Sequence, residues 1–284
     1  MNDDPFNLVG TTLVGGSVYL IELVVGVTNL SVVYRATKQG ETEKPVAIKV
    51  SRSLPASIPE HAGLANEFRL IKALVHPNIV RVLDFGEQEL PDGRAIAWMA
   101  QEWLDGTPLE KILLKRRGAK ERVKPADALR LVRPIFEALA YAHEFNAGID
   151  AKGIAHRDIK PSNIMVTKAS RMLFDFGAAK IVPQGYVTGE GGTVSVWRSF
   201  TPEYAAPEQL IAGKTGISTD VYALGLLLTE ILTDQAPYDD GDLASLTNQA
   251  QHSSIRPTPQ RRGVDVGAWQ VVIEKAVAVQ ATMR

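Results

Sequence analysis

Hydrophobic positions alternate along the first third of the chain and recur at helical intervals along the rest. Residues 18–25, 31–36 and 45–50 are rich in Val, Ile and Tyr, and turn residues separate them, which predicts three strands. In the third of these, Val46, Ile48 and Val50 share one face while Ala47 and Lys49 point to the other. A helix is predicted over 60–75, with Leu64, Phe68, Ile71 and Val75 on its apolar side. Two further strands are predicted over 79–85 and 95–102. Beyond Gly106 the period becomes helical. Residues 125–146 place Leu129, Val132, Phe136 and Leu139 on one side, with Pro134 predicted to kink the helix. Residues 218–233 are apolar nearly all round, as a helix buried at a domain centre would be. Residues 115–122 are a charged connection, expected to be a solvated loop. The fold class is α+β: an extension over 1–17, a small antiparallel β-rich lobe over about 18–101 with one main helix, a hinge at 102–106, and a larger, mostly helical lobe over 107–284.

Composition narrows the function classes. The 284 residues are 45% hydrophobic and 22% charged, an ordinary globular balance. A net charge of −1 gives no basic field for nucleic acid or anionic lipid. With no cysteine, disulfides and thiolate metal sites are excluded. The acidic start, Met-Asn-Asp-Asp-Pro-Phe, lacks the features of a secretory signal. The longest apolar stretch, 221–232, is too short to span a bilayer, so no membrane contact is expected of this segment. A cytoplasmic location is expected. The helical pattern from Trp269 reaches Arg284 without a cap, which predicts further sequence, such as another domain or a membrane anchor.

Three groups of residues carry candidate chemistry. Glu67 lies between Leu64 and Ile71 on the inward side of its predicted helix. A carboxylate there needs a cation or bears a desolvation cost. Lys49, off the aliphatic face of its strand, is the cation predicted for it; the plain alternative is two unrelated surface charges. Asp158, Lys160 and Asn163 sit two and five residues apart in what reads as a tight loop. Such a loop brings a carboxylate, an ammonium and an amide together. Asp158 would orient a hydroxyl as base, Lys160 would neutralise a transferred phosphoryl and Asn163 would bind metal. The plain alternative is a polar turn around Pro161. Asp175 follows Met172-Leu173-Phe174 and precedes Phe176-Gly177. A hard carboxylate at a strand end suits Mg²⁺; an Asx turn closed by Gly177 is the plain alternative.

In these segments the chain resembles the eukaryotic-type (Hanks-type) protein kinase family, and in detail its bacterial serine/threonine branch. The resemblance runs from Tyr19 to Arg284. It rests on Val46-Ala47-Ile48-Lys49, His76-Pro77-Asn78-Ile79-Val80, the loop from His156 to Asn163 and Asp175-Phe176-Gly177, and it continues through Thr201-Pro202-Glu203-Tyr204-Ala205-Ala206-Pro207-Glu208 and Asp220-Val221-Tyr222-Ala223-Leu224-Gly225. It implies the two-lobed protein kinase fold and ATP between the lobes with Mg²⁺, or Mn²⁺ in its place. By position, Lys49 holds the α- and β-phosphates and Glu67 holds Lys49. Asp158 is the base with Lys160 beside it, and Asn163 and Asp175 take the metal. Val25, Gly26, Thr28, Ser31 and Val33 fall on the nucleotide-covering hairpin. Ala47 covers the adenine, Gln101 stands behind it, and Glu102 and Leu104 offer backbone hydrogen bonds. Asp220 braces the catalytic loop, Glu208 pairs with Arg284, and Thr201 positions substrate. The implied reaction moves the γ-phosphoryl of ATP to Ser/Thr hydroxyls of protein substrates; Lys160 and Pro161 favour Ser/Thr over Tyr. Self-association for autophosphorylation in trans is implied too, with Thr193 and Ser195 as regulatory phosphosites. A phosphate there would bridge to Arg157.

The chain departs from the family pattern at the phosphate-covering loop. The pattern G-x-G-x-x-G-x-V is met by Gly26-Val27-Thr28-Asn29-Leu30-Ser31-Val32-Val33, with only the first glycine kept. Thr28 and Ser31 restrict close approach of backbone N–H groups to phosphate, while their hydroxyls and the Asn29 amide offer donors instead. Phe200 stands where the family has Gly, and residues 146–153 form a longer stretch than usual. The altered loop motivates the alternative of a nucleotide-binding pseudokinase scaffold. A small-molecule kinase of the aminoglycoside phosphotransferase type is disfavoured by Ala206-Pro207-Glu208, which that type lacks.

Overall fold

β-branched and aromatic residues at every second position commit the first part of the chain to a sheet. The computed structural model describes residues 4–28, 31–41, 44–51, 60–117, 122–148, 151–183, 200–211, 213–238, 242–252 and 256–284. The chain divides into two units, Met1–Val75 with Ile79–Asp105, and His76–Asn78 with Gly106–Arg284.

The first unit is built on β1 (Thr12–Val14), β2 (Val18–Val27), β3 (Ser31–Lys38), β4 (Pro45–Ser51), β5 (Val82–Glu89) and β6 (Ala95–Glu102). They form one antiparallel sheet in the order β1-β2-β3-β4-β6-β5. On β4 the expected alternation holds: Val46, Ile48 and Val50 are buried. Ile48 is paired with Tyr34 on one side and Ala100 on the other. Trp98 meets Tyr19 edge-on at 5.5 Å in the same core. The segment before Val18, read as an extension, belongs to this sheet, with β1 paired to β2 and Phe6, Leu8 and Leu13 buried. A three-residue strand is too short to show a period. The strand expected from residue 79 begins instead at Val82, after Ile79 and Val80 have been buried outside the ladder.

Helix α1 (Glu60–Ala73) buries Leu64, Leu70 and Ile71, and Phe68 stacks on Phe85 at 5.3 Å. Val75, expected on the apolar side, is 82% exposed. The helix has ended before it, ahead of His76-Pro77, because a proline disfavours helical backbone in the residue it follows.

The second unit is mainly helical: α2 (Leu109–Arg116), α3 (Pro125–Glu144), α4 (Pro207–Leu210), α5 (Ile217–Thr233), α6 (Leu243–Gln251) and α7 (Trp269–Ala276). Pro134 lies inside α3, which continues past it. The buried stripe of α3 is Ala128, Val132, Ile135, Ala138, Leu139 and Ala142; Leu129 and Phe136 are only half-buried. As expected, α5 is buried nearly all round. Gly225 lets α7 pack against it, since a Cβ there would come within 2.6 Å of Val277. Within the charged stretch, Arg117 pairs with the buried Glu230 at 2.9 Å and Arg116 with Asp234 at 3.5 Å, so these two are not simply solvated; residues 118–121 lie outside the described residues. The helical pattern from Trp269 ends at Ala276, and a single 3-10 turn, Ala281–Met283, follows.

Two small antiparallel sheets complete this unit, with ladders β11-β10-β7 and β12-β9-β8. Their strands are β7 (Gly106–Pro108), β8 (Asn146–Gly148), β9 (Ala151–Ala155), β10 (Ile164–Thr167), β11 (Arg171–Leu173) and β12 (Lys180–Pro183). The longer stretch 146–153 is the β8–β9 hairpin, with β12 paired on the other side of β9. Among the described residues no helix is long and apolar enough to cross a membrane.

Candidate active site

In the first unit, β4 and α1 bring Lys49 and Glu67 together. The Lys49 ammonium donates to both carboxylate oxygens, at 2.9 and 3.0 Å. The side chains are 13% and 4% exposed, so each needs the other to offset its desolvation. Ala47 sits between Arg35 of β3 and Gln101 of β6 in the ladder. Gln101 is buried, and its Nε2 has no hydrogen-bond partner among the described residues. The Glu102 N–H is taken by the Arg81 carbonyl at 2.9 Å, so what Glu102 can offer a ligand from its backbone is its carbonyl. Leu104 follows, half-buried.

The β2–β3 hairpin carries the altered glycine loop. Thr28 closes the turn itself: its N–H donates to the Ser31 carbonyl at 2.9 Å, and its hydroxyl accepts from the Ser31 N–H at 3.0 Å. The two hydroxyls lie 3.3 Å apart. The groups expected to face phosphate are thus engaged with each other. A Cβ at Gly26 would meet nothing within 4 Å, so no close approach among the described residues requires that glycine. Val25 is exposed and Val33 half-buried; Asn29 lies outside the described residues.

In the second unit, the loop after β9 and the segment at Thr201 bring three donors to one carboxylate, that of Asp158. Asp158 Oδ2 accepts from the Lys160 ammonium at 2.8 Å and from Asn163 Nδ2 at 3.1 Å. Asp158 Oδ1 accepts from the Thr201 backbone N–H at 3.1 Å. Lys160 also donates to the Thr201 hydroxyl at 2.5 Å. Asn163 Nδ2 further donates to the Asp158 carbonyl at 2.8 Å, so the acceptor of this side chain is its Oδ1. The Asn163 carbonyl accepts from the Phe174 N–H at 3.1 Å, bringing the backbone beside Asp175 to the loop. Asn163 and Asp175 are oxygen donors, the chemistry a small hard divalent cation takes, and such a cation keeps water and phosphate as its other ligands. The residues present fit a hard divalent cation.

Backbone geometry marks the same place. Arg157 (φ 69°) and Asp175 (φ 62°) adopt left-handed backbone, uncommon for residues other than glycine. The strain at Arg157 is held by α5: Asp220, fully buried, accepts from the His156 and Arg157 N–H groups at 2.8 and 2.7 Å and bonds His143 Nε2 at 2.7 Å. Burial pushes the Asp220 carboxyl up, but the bonds to His143 and the Arg157 N–H outweigh it and hold it below the usual carboxylate value. His156 is also fully buried. Burial lowers its pKa against the pull of Asp220, Asp158 and Asp175, so the ring is neutral at physiological pH. Its Nδ1 accepts from the Asp158 N–H at 3.3 Å, its Nε2 faces the Phe174 carbonyl at 3.2 Å, and its ring meets Phe176 at 4.5 Å.

Beyond this centre, Glu208 and Arg284 form the implied pair, bidentate at 2.6 and 2.9 Å, with the guanidinium 4.7 Å over Tyr222. Several residues here carried no signal in the sequence. Tyr204 and Arg117 both donate to Glu230, at 2.5 and 2.9 Å; burial raises the Glu230 pKa against these two donors. Gln209 donates to the Arg157 carbonyl. Thr193 and Ser195 lie outside the described residues.

A sequence model of the protein kinase domain family matches residues 19–277. Among curated proteins, the chain is 33% identical over 227 residues to the serine/threonine-protein kinase pkn2 of Myxococcus xanthus, covering 77% of this chain and 24% of that protein. It is 31% identical to PknB of Mycolicibacterium smegmatis, over 92% of this chain and 39% of that one. It is 32% identical to PknA of Mycobacterium tuberculosis, over 88% and 54%. The chain therefore spans between about a quarter and about half the length of these curated relatives.

Proposed function

The chain belongs to the protein kinase domain family, in its bacterial serine/threonine branch, and on that premise we propose that it phosphorylates Ser and Thr hydroxyls of proteins at the expense of ATP. The observation that carries this reading is the closed ring of Asp158, Lys160 and Thr201, with Asn163 bonded to the same Asp158 carboxylate. Mg-ATP would supply the phosphoryl group, and its cation would neutralise the negative charge spread over the phosphoryl oxygens. In our reading Asn163 Oδ1 and Asp175 hold Mg²⁺, with Mn²⁺ an acceptable substitute. Lys49, kept in place by Glu67, holds the α- and β-phosphates. Gln101, Glu102, Leu104, Ala47, Val25 and Val33 line the adenine.

Asp158 orients the acceptor hydroxyl and takes its proton. Lys160 bridges the base and the Thr201 hydroxyl, so it lies where charge on a transferred phosphoryl can be met by a cation. Thr201 fixes Asp158 through its N–H and contributes to acceptor placement. Thr193 and Ser195 are our candidates for autophosphorylation in trans, with Arg157 as the phosphate's partner. A cytoplasmic location fits this chemistry, which draws on cellular ATP. The test is transfer of labelled phosphate from Mg-ATP to a Ser/Thr protein substrate, with Asp158→Asn as control. Equal incorporation in the variant would overturn the reading.

The engaged Thr28 and Ser31 hydroxyls favour a second reading, a nucleotide-binding scaffold without transfer. Nucleotide binding with no incorporation in wild type would select it.

A further inference from the structure

We propose that Gln209 is a positioning residue for the catalytic base. Gln209 is 2% exposed and lies in α4, 52 residues from its partner. Its Nε2 donates to the Arg157 carbonyl at 2.9 Å, and its Oε1 accepts from the Ala206 N–H at 3.0 Å. The orientation of the amide follows, since only the nitrogen can donate to a carbonyl and only the oxygen can accept from an N–H.

Arg157 is the residue that turns the chain into Asp158, and it does so in left-handed backbone at φ 69°. For a residue with a Cβ that conformation carries a steric cost, so the surroundings must hold it. Asp220 holds the N–H of Arg157. Gln209 holds its carbonyl, which belongs to the planar peptide leading to Asp158. With both peptide groups pinned, the direction in which the Asp158 side chain leaves the loop is fixed. Through Ala206 the same amide ties this pin to the segment that also supplies the Thr201 N–H to Asp158. The simpler role, an acceptor that only caps the start of α4, accounts for Oε1 and leaves the Nε2 bond without a purpose.

The proposal rests on the kinase reading for its activity readout, so the test includes one that does not. Gln209→Met keeps the volume and loses both bonds; Gln209→Glu keeps the acceptor for Ala206 and loses the donor to Arg157. Arg157→Gly adopts the left-handed backbone without strain. For Gln209→Met we expect kcat to fall about tenfold with the KM for ATP within about twofold, the signature of a misplaced base. In the Arg157→Gly background the same substitution should cost no more than about twofold, because the conformation no longer needs holding. Gln209→Glu should lose at least as much kcat as Gln209→Met, and it serves where the Met variant does not fold. Independently of activity, amide hydrogen exchange at residues 156–158 should speed up in Gln209→Met and in Gln209→Glu. Faster exchange in an inactive wild-type background would sink the kinase reading and keep the pin. Wild-type kcat in the Glu variant, an equal kcat loss in both backgrounds, or unchanged exchange would overturn the proposal.

Discussion

Asp158 is held on both carboxylate oxygens, which gives direction to the base proposed here. Replacing it by Asn keeps size and removes the charge and the proton acceptor. We expect Asp158→Asn to lower kcat by at least about a hundredfold in a steady-state assay, the lower range for a general base. A loss under about tenfold would assign the role elsewhere. His156 gives a second expectation at this scale. Burial lowers its folded pKa, so below the unfolded value of about 6.5 the unfolded chain binds more protons and folding stability falls with pH. His76, also lowered by burial, acts in the same sense. Glu230, raised by burial, acts in the opposite sense and softens the loss. Asp220, held below its usual value, loses its contribution only in a more acidic window. The urea midpoint should therefore fall between about pH 7.5 and 5.5, and a flat midpoint would contradict the neutral buried histidine. Lys49, Glu67, Asp158, Asn163 and Asp175 were legible in the sequence because local spacing placed each on a readable face or loop. Gln209 and His143 were not, because their partners lie 52 and 77 residues away and only the fold joins them.

At the scale of elements, β2, β3, β4 and β6 followed from composition and alternation, and the central helix α5 from an apolar run long enough for a buried helix. Failures came where an element is too short to have one, as in β1, or where a neighbour overrides it, as Pro77 does at the end of α1. The β8–β9 hairpin showed in the sequence only as extra length, since three-residue strands give no alternation to read. The β2–β3 hairpin carries the prediction that belongs here. The Thr28 hydroxyl closes its turn, so Thr28→Ala loses a turn bond of about 1 kcal/mol and loosens the hairpin proposed to cover the nucleotide. The KM for ATP should rise about fivefold while kcat stays within about twofold. A fall in kcat at unchanged KM would place Thr28 in the chemical step instead.

At the scale of the whole molecule, each unit has its own core, and the residues proposed to act are divided between them. The second unit is closed by Glu208 and Arg284, whose guanidinium side chain is 0% exposed. Removing one partner of such a pair leaves the other charged and buried. Arg284→Ala should cost about 3–5 kcal/mol in urea unfolding; a loss under about 1 kcal/mol would show that water replaces the guanidinium. The central claim, that these residues make a working serine/threonine kinase, is tested most directly by mass spectrometry of the purified chain and a generic Ser/Thr protein substrate after incubation with Mg-ATP. We predict phosphate on Ser and Thr of the substrate, phosphate on Thr193 or Ser195 of the chain itself, and neither with Asp158→Asn. Absence of phosphate from both proteins, or the same phosphate with the Asn variant, would contradict it.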